Sequence, residues 1–194
     1  VYVVLPNHLH KPFTLRAAAA GKHVWCEKPM AMDAAEARAM IEACRKARVQ
    51  LAIGYRMQHE PNTQAVMAMA TSRPFGSLQR IRAEAGFHGF DGASGDNWRL
   101  DAARGGGAMY DMGVYALNAA RYTAGAEPIA VTATSSIQRP DVFRGVDETM
   151  RFRLEFRDGV TADCATSFGE NINRLRADCA DGWYELSPVQ AYEG

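Results

Sequence analysis

Lys28, Asp111 and Tyr115 are the residues of this 194-residue sequence whose types best suit proton transfer. A phenol has a pKa of about 10 and accepts a proton at neutral pH only where its phenolate is favoured. A nearby ammonium does that electrostatically. Lys28 closes the apolar run "HVWCEK" directly before Pro29, and the C-terminal end of a parallel strand is where open α/β sheets place ligands. Asp111 and Tyr115 are four residues apart, which puts them on one face of a helix. Taken alone, Lys28 reads equally well as a solvated lysine, and spacing by itself favours reading Asp111 and Tyr115 as a polar residue near a helix start and a half-buried aromatic.

The elements that must position them follow from pattern. "VYVVLP" is a β-branched apolar run stopped by Pro6 and Asn7, expected as a strand buried on both faces. A helix is expected from about His10 to Ala20, with Gly21 as its stop, then a strand at "HVWCEK". Asp33, with Glu36 three residues on, marks the start of the next helix, and "LAIGY" is a third strand. Strand and helix alternating at this spacing mean a parallel sheet with right-handed crossovers. After Pro61 the pattern changes. A helix around Asn62 to Ala70, the alternating strand "LQRIRAEAGF" and a glycine-led helix at "GGGAMYDMGVYALNAARYTAG" are followed by "PIAVTATSSI", "ETMRFRLEF", "VTADCATSF", "RLRADCA" and "WYELS". Turn signals such as Asp158-Gly159 and Asp181-Gly182 between these runs indicate a largely antiparallel sheet. The expected architecture is α/β plus α+β: the C-terminal part of a Rossmann-type parallel sheet over residues 1–58, then an α+β domain with a large, mainly antiparallel open sheet over 59–194.

Composition narrows the partners. With 22 basic and 22 acidic residues the formal net charge is +0, which gives nucleic acid or an anionic membrane little to hold. No run approaches the roughly 20 apolar residues of a membrane span. Cys26, Cys44, Cys164 and Cys179 are scattered without metal-ligand spacing and read as buried, reduced thiols, so no metal is expected. No strand is followed by a GxGxxG turn, and Gly105 to Gly107 lack that spacing. Because it begins at Val1 inside an apolar run, the chain is expected to be a fragment, and its location is left open.

Four stretches in order, "LPNHLH", "AGKHVWCEKPMA", "IGYRMQHEP" and "GGGAMYDMGVYALNAARYTAG", with "NWRL" before the last, resemble the Gfo/Idh/MocA oxidoreductases. Within that family the "WR" pair and the tyrosine of the D-x-x-x-Y helix look closest to the glucose-fructose oxidoreductase branch. The resemblance implies a two-domain enzyme that binds NADP or NAD and acts on a sugar or cyclic polyol. It places the first strands, the GxGxxG turn and the cofactor-selecting residue upstream of Val1, and implies an unfinished C-terminal sheet.

Residue by residue, the resemblance implies that Tyr115 exchanges the substrate hydroxyl proton. Lys28 is then its electrostatic partner and a hydroxyl ligand, and Asp111 a hydrogen-bond clamp on the sugar. Pro6, Asn7, Glu27, Lys28, Trp98 and Arg99 are the expected cofactor contacts, with the Arg99 guanidinium near phosphates and the Trp98 indole near the nicotinamide. His10 is expected to make a structural hydrogen bond, and Tyr55 and Arg56 either line the cleft or join the two domains. The Lys28–Pro29 bond is expected to be cis. A homo-oligomer through the C-terminal sheet is the expected assembly. The alternative function is a non-catalytic assembly or sugar-binding module, since this chain lacks the GxGxxG region.

Overall fold

The computed structural model describes residues 1–92 and 97–190, which form two sheets. The first has three parallel strands, β1 (Tyr2–Val3), β2 (Val24–Cys26) and β3 (Leu51–Ile53), in that spatial order. Helices α1 (His10–Ala19) and α2 (Ala34–Ala47) connect them. The Asp33 carboxylate caps α2 by accepting from the Glu36 backbone N–H at 2.8 Å. In return the Glu36 carboxylate accepts from the Met32 backbone N–H at 3.3 Å, one residue further out than in the usual capping box. Gly21 stops α1 with φ +68°, the left-handed geometry that glycine adopts freely.

The first strand departs from expectation. Because β1, β2 and β3 advance in one direction, right-handed crossovers place both helices on the same face of the sheet. Val3, Val24 and Cys26 pack there against Ala17, Ala18, Met40 and Cys44. On the opposite face Tyr2 and Trp25 are 55% and 57% exposed, and no element among the described residues covers them. The strand is buried on one face only.

The second unit begins with α3 (Pro61–Ser72) and continues through β4 (Leu78–Gly86), α4 (Val114–Ala124), β5 (Ala130–Ser136), β6 (Thr149–Glu155), β7 (Thr161–Ser167), β8 (Ile172–Cys179) and β9 (Gly182–Leu186). Its six strands lie in the order β5-β6-β7-β4-β8-β9, and only β4 and β7 run parallel. The sheet is mainly antiparallel, as the sequence indicates. Both Asp-Gly pairs sit at hairpin turns, with φ +78° at Gly159 and +159° at Gly182. Alternation along β4 sends Ile81, Ala83 and Ala85 into the core shared with Val66, Ala116 and Ala120 of the helices. Arg80, Arg82 and Glu84 point to the other, open face. Arg153 Nε donates to Asp163 Oδ1 across that face at 2.8 Å.

All four cysteines are free thiols. Burial pushes Cys26 up to about 11 and Cys164 up to about 12, which keeps both protonated and inert at neutral pH. Replacing the α2 cap tests this local reading. Asp33→Ala is expected to lower stability in urea denaturation by about 1 kcal/mol, whereas Asp33→Ser keeps an acceptor at the cap and stays near wild type.

Candidate active site

An open cleft of about 1160 Å³ runs from the C-terminal ends of the parallel strands to α4 and the end of β4. Lys28, Asp111 and Tyr115 all line it. Lys28 stands two residues beyond the end of β2, and the Lys28–Pro29 bond is cis. Its ammonium donates to the Asp111 carboxylate Oδ1 at 2.8 Å and to the Asp111 carbonyl oxygen at 2.7 Å. The same nitrogen stands 4.9 Å from the centroid of the Tyr115 ring. The other Asp111 oxygen, Oδ2, accepts from Arg99 Nε at 2.9 Å. Lys28, 83 positions away in the chain, and Arg99, 12 positions away, thus meet at one carboxylate.

The helix carrying Asp111 and Tyr115 does not start as an α-helix. Residues Met109–Gly113 form a π turn that leads into α4. The extra residue in this turn is the kind of irregularity that accompanies functional sites. Its N-terminus is held by Asp147, which the sequence does not single out. The Asp147 carboxylate accepts from the Met109 N–H at 2.7 Å, and its carbonyl accepts from the Ala108 N–H at 3.1 Å. Burial pushes the Asp147 carboxyl up, against the backbone hydrogen bonds that favour its ion. Gly105 is there for space: a side chain would come within 2.7 Å of Asn7 Cβ and 2.6 Å of Met32 Sδ.

Asp111 is the electrostatic centre. Burial pushes its carboxyl up, but Lys28 and then Arg99 more than offset this and hold it below its ordinary value of 3.8. Its partner Lys28 is largely enclosed with it, the two side chains being 14% and 11% exposed, while Arg99 reaches it from the rim at 38% exposure.

The expected cofactor residues divide into two groups. Glu27, Lys28 and Arg99 line the cleft. Glu27 sits on the exposed face of the sheet, where its carboxylate accepts a short hydrogen bond from the Tyr2 hydroxyl. Pro6, Asn7 and Trp98 do not line it. Asn7 is 1% exposed and donates its amide to the Gly105 carbonyl at 2.8 Å. Trp98 lies beneath Arg99, whose guanidinium carbon is 4.4 Å from the indole centroid. His10 is structural as expected: its ring nitrogens lie 2.8 Å from the Pro29 and Leu5 carbonyl oxygens. Tyr55 and Arg56 line the cleft, and the Tyr55 ring also packs 5.6 Å from that of Tyr115. Phe87, Phe90 and Asn173 also line it without any motif having pointed to them.

Residues 1–55 match the model described as "Oxidoreductase family, NAD-binding Rossmann fold", and residues 63–185 match the GFO/IDH/MocA C-terminal domain. The chain belongs to the Gfo/Idh/MocA oxidoreductase family. It is 34% identical over 190 residues to a D-xylose 1-dehydrogenase (NADP(+)) of Haloferax volcanii, covering 97% of this chain and 56% of that protein. The crystal structure of aldose-aldose oxidoreductase from Caulobacter crescentus, complexed with glycerol, superposes with a TM-score of 0.94 at 43% identity, over 100% of this chain and 58% of that one. GenD2 from gentamicin A biosynthesis, in complex with NAD, superposes with a TM-score of 0.84 at 26% identity, over 96% and 53%. The chain spans about half the length of the curated relatives it matches. Its relatives include NADP-dependent D-xylose dehydrogenases and an aldose-aldose oxidoreductase.

The pKa of Asp111 fixes the sign of a pH effect. A carboxyl held below its unfolded value contributes stability that is complete above that value and is lost as pH falls through the folded one. Wild type is therefore expected to lose stability as pH drops below about 4. In urea denaturation across that range Asp111→Asn should be less stable than wild type at pH 7 and should fall less steeply on acidification. An equally steep fall would remove Asp111 as a source of the effect.

Proposed function

We propose that the whole protein is an NAD(P)-dependent oxidoreductase acting on a CH–OH group of a sugar or cyclic polyol, with Lys28 and Tyr115 in proton transfer. The observation that carries this reading is the Lys28 ammonium at 4.9 Å over the Tyr115 ring, held there by Asp111 inside the cleft. The likeness to aldose-aldose oxidoreductase favours a sugar substrate and the glucose-fructose oxidoreductase branch.

The donor set suits the nicotinamide end of a dinucleotide. Cationic Lys28 and Arg99 and the Glu27 carboxylate stand in one cleft at the C-terminal ends of parallel strands, where such folds bind cofactors. NAD(P), when bound, supplies a hydride acceptor at carbon. The residues of this chain handle the rest. Tyr115 takes the hydroxyl proton, and Lys28 favours the phenolate that receives it and donates to the same hydroxyl oxygen. Asp111 orients Lys28, and each of its oxygens keeps a further lone pair with which to clamp a neighbouring sugar hydroxyl. Glu27 and Arg99 face the cofactor directly. Pro6, Asn7 and Trp98 serve it from behind, Asn7 by holding Gly105 and Trp98 by backing Arg99.

Two further assignments belong to this reading. The boundary between cofactor and substrate domains falls at residue 58, just before α3. The occupant of the open face of the second sheet is another copy of the chain. That face carries a groove lined by Arg80, Arg82, Glu84, Arg151 and Asp163. Both signs of charge are present, so the face is complementary to itself.

In assays of the whole protein with aldoses and NAD(P), Lys28→Ala and Tyr115→Phe are each expected to lower kcat by about 10²- to 10⁴-fold. Turnover near wild type in either variant contradicts the assignment. Light scattering is expected to give more than one copy per particle, and a monomer contradicts the assembly.

A further inference from the structure

The proton chemistry uses Tyr115 and the charged residues of the cleft and leaves its phenylalanines without a role. Phe87 and Phe90 line that cleft, and Phe87 is 37% exposed. Behind them stand Phe143 and Phe168, exposed by only 1% and 0%. The Phe87 centroid is 5.8 Å from that of Phe90 and 5.3 Å from that of Phe168, and Phe90 meets Phe168 edge-on at 4.7 Å. Phe90 has φ +68°, a left-handed conformation that a bulky residue holds only where its surroundings impose it. A side chain at Gly89 would come within 2.6 Å of the Phe87 ring, so the ring lies folded over the glycine.

Arg139 is what imposes this geometry. Its guanidinium donates to Glu148 Oε1 at 2.7 Å, Gly89 O at 3.0 Å, Asp91 Oδ1 at 2.5 Å and Phe168 O at 2.7 Å. Its central carbon also stands 5.0 Å over the Phe143 ring. Glu148, 2% exposed, accepts in addition from the backbone N–H groups of Gln138 and Arg139 at 2.6 and 2.9 Å. One buried ion pair therefore ties the segment bearing Phe87 and Phe90 to the strand end bearing Phe168. Backbone bonds from Phe87 N to Ser167 O and from Gly89 N to Phe168 O, both 3.0 Å, complete the attachment.

A pyranose ring carries its hydroxyls around the rim and presents C–H groups on a face. An aromatic surface suits that face, because burying it costs no hydrogen bond. An open-chain polyol also carries hydroxyls along its length but has no fixed C–H face. We propose that Phe87 and Phe90 form a wall that selects the cyclic form of the substrate, and that Arg139 is the positioning residue that sets the wall. Lys28 and Asp111 take the hydroxyls and the wall takes the ring. The inference rests on the sugar-oxidising reading above, and its test separates the two.

The whole protein, Phe87→Ala and Arg139→Lys are compared by calorimetric binding of D-glucose and D-xylose, and of their acyclic counterparts sorbitol and xylitol, and by steady-state turnover with NAD(P). Arg139→Lys keeps a cation beside Glu148. Phe87→Ala is expected to weaken the cyclic sugars by about tenfold, raising KM with kcat little changed, while acyclic polyols and the cofactor KM stay within about twofold. Arg139→Lys should move the cyclic-to-acyclic ratio in the same direction by a smaller factor, which a merely structural role would leave unmoved. Unchanged cyclic binding in Phe87→Ala, equal losses for cyclic and acyclic ligands, or a raised cofactor KM overturns the wall. Wild-type binding of cyclic sugars without their oxidation overturns the parent reading and leaves the wall standing; no binding of either cyclic sugar overturns both.

Discussion

A carboxylate between two cations is the constraint on which the site depends. Asp111 is buried, and burial of a charge is costly unless partners replace the water it loses. Lys28 and Arg99 are those partners, each on a separate oxygen. Without the carboxylate, two cations would face each other in a partly closed cleft. With it, an ammonium from the end of the parallel sheet is fixed against the helix that packs on the second sheet. The ion pair is thus both the joint between the two units and the device that presents Lys28 to Tyr115. Asp147 matters for the same reason, because the π turn it caps sets where Asp111 sits.

The cleft has two kinds of surface, and each has its own buried anchor. Asp111 orders the charged surface and the Arg139–Glu148 pair orders the aromatic one. The two anchors share no residue. A hydroxyl-bearing ring needs both kinds of surface at once, which is the physical content of reading this cleft as a sugar site. The uncovered face of the first sheet, with Tyr2 and Trp25 exposed beside Glu27, opens onto the same space.

Much of this was legible in the sequence because much of it is local. The Asp33 cap, the Gly21 stop and the alternation of β4 depend on residues a few positions apart, and each appears where its pattern says. The lysine at a strand end and the Asp111–Tyr115 spacing also pointed to one site. Less legible were features set by distant partners. Nothing near Asp147 indicates that it caps a turn 38 residues earlier, and nothing near Asn7 indicates that its amide is spent on Gly105. The first strand looked buried on both faces because its residues are apolar; crossover direction, which local pattern does not encode, puts both helices of the described residues on one face. Phe87 and Phe90 resemble any aromatic pair after a strand until Arg139 is seen to hold them.

The central claim is that Asp111 and Lys28 act as one unit. A double-mutant cycle on kcat/KM of the whole protein tests it, using Asp111→Asn, Lys28→Met and the pair. Groups that act together are non-additive. The double variant is therefore expected to lose no more activity than the worse single variant, to within about threefold. Losses that multiply across the two substitutions would show that the ammonium works without the carboxylate, and would contradict the account.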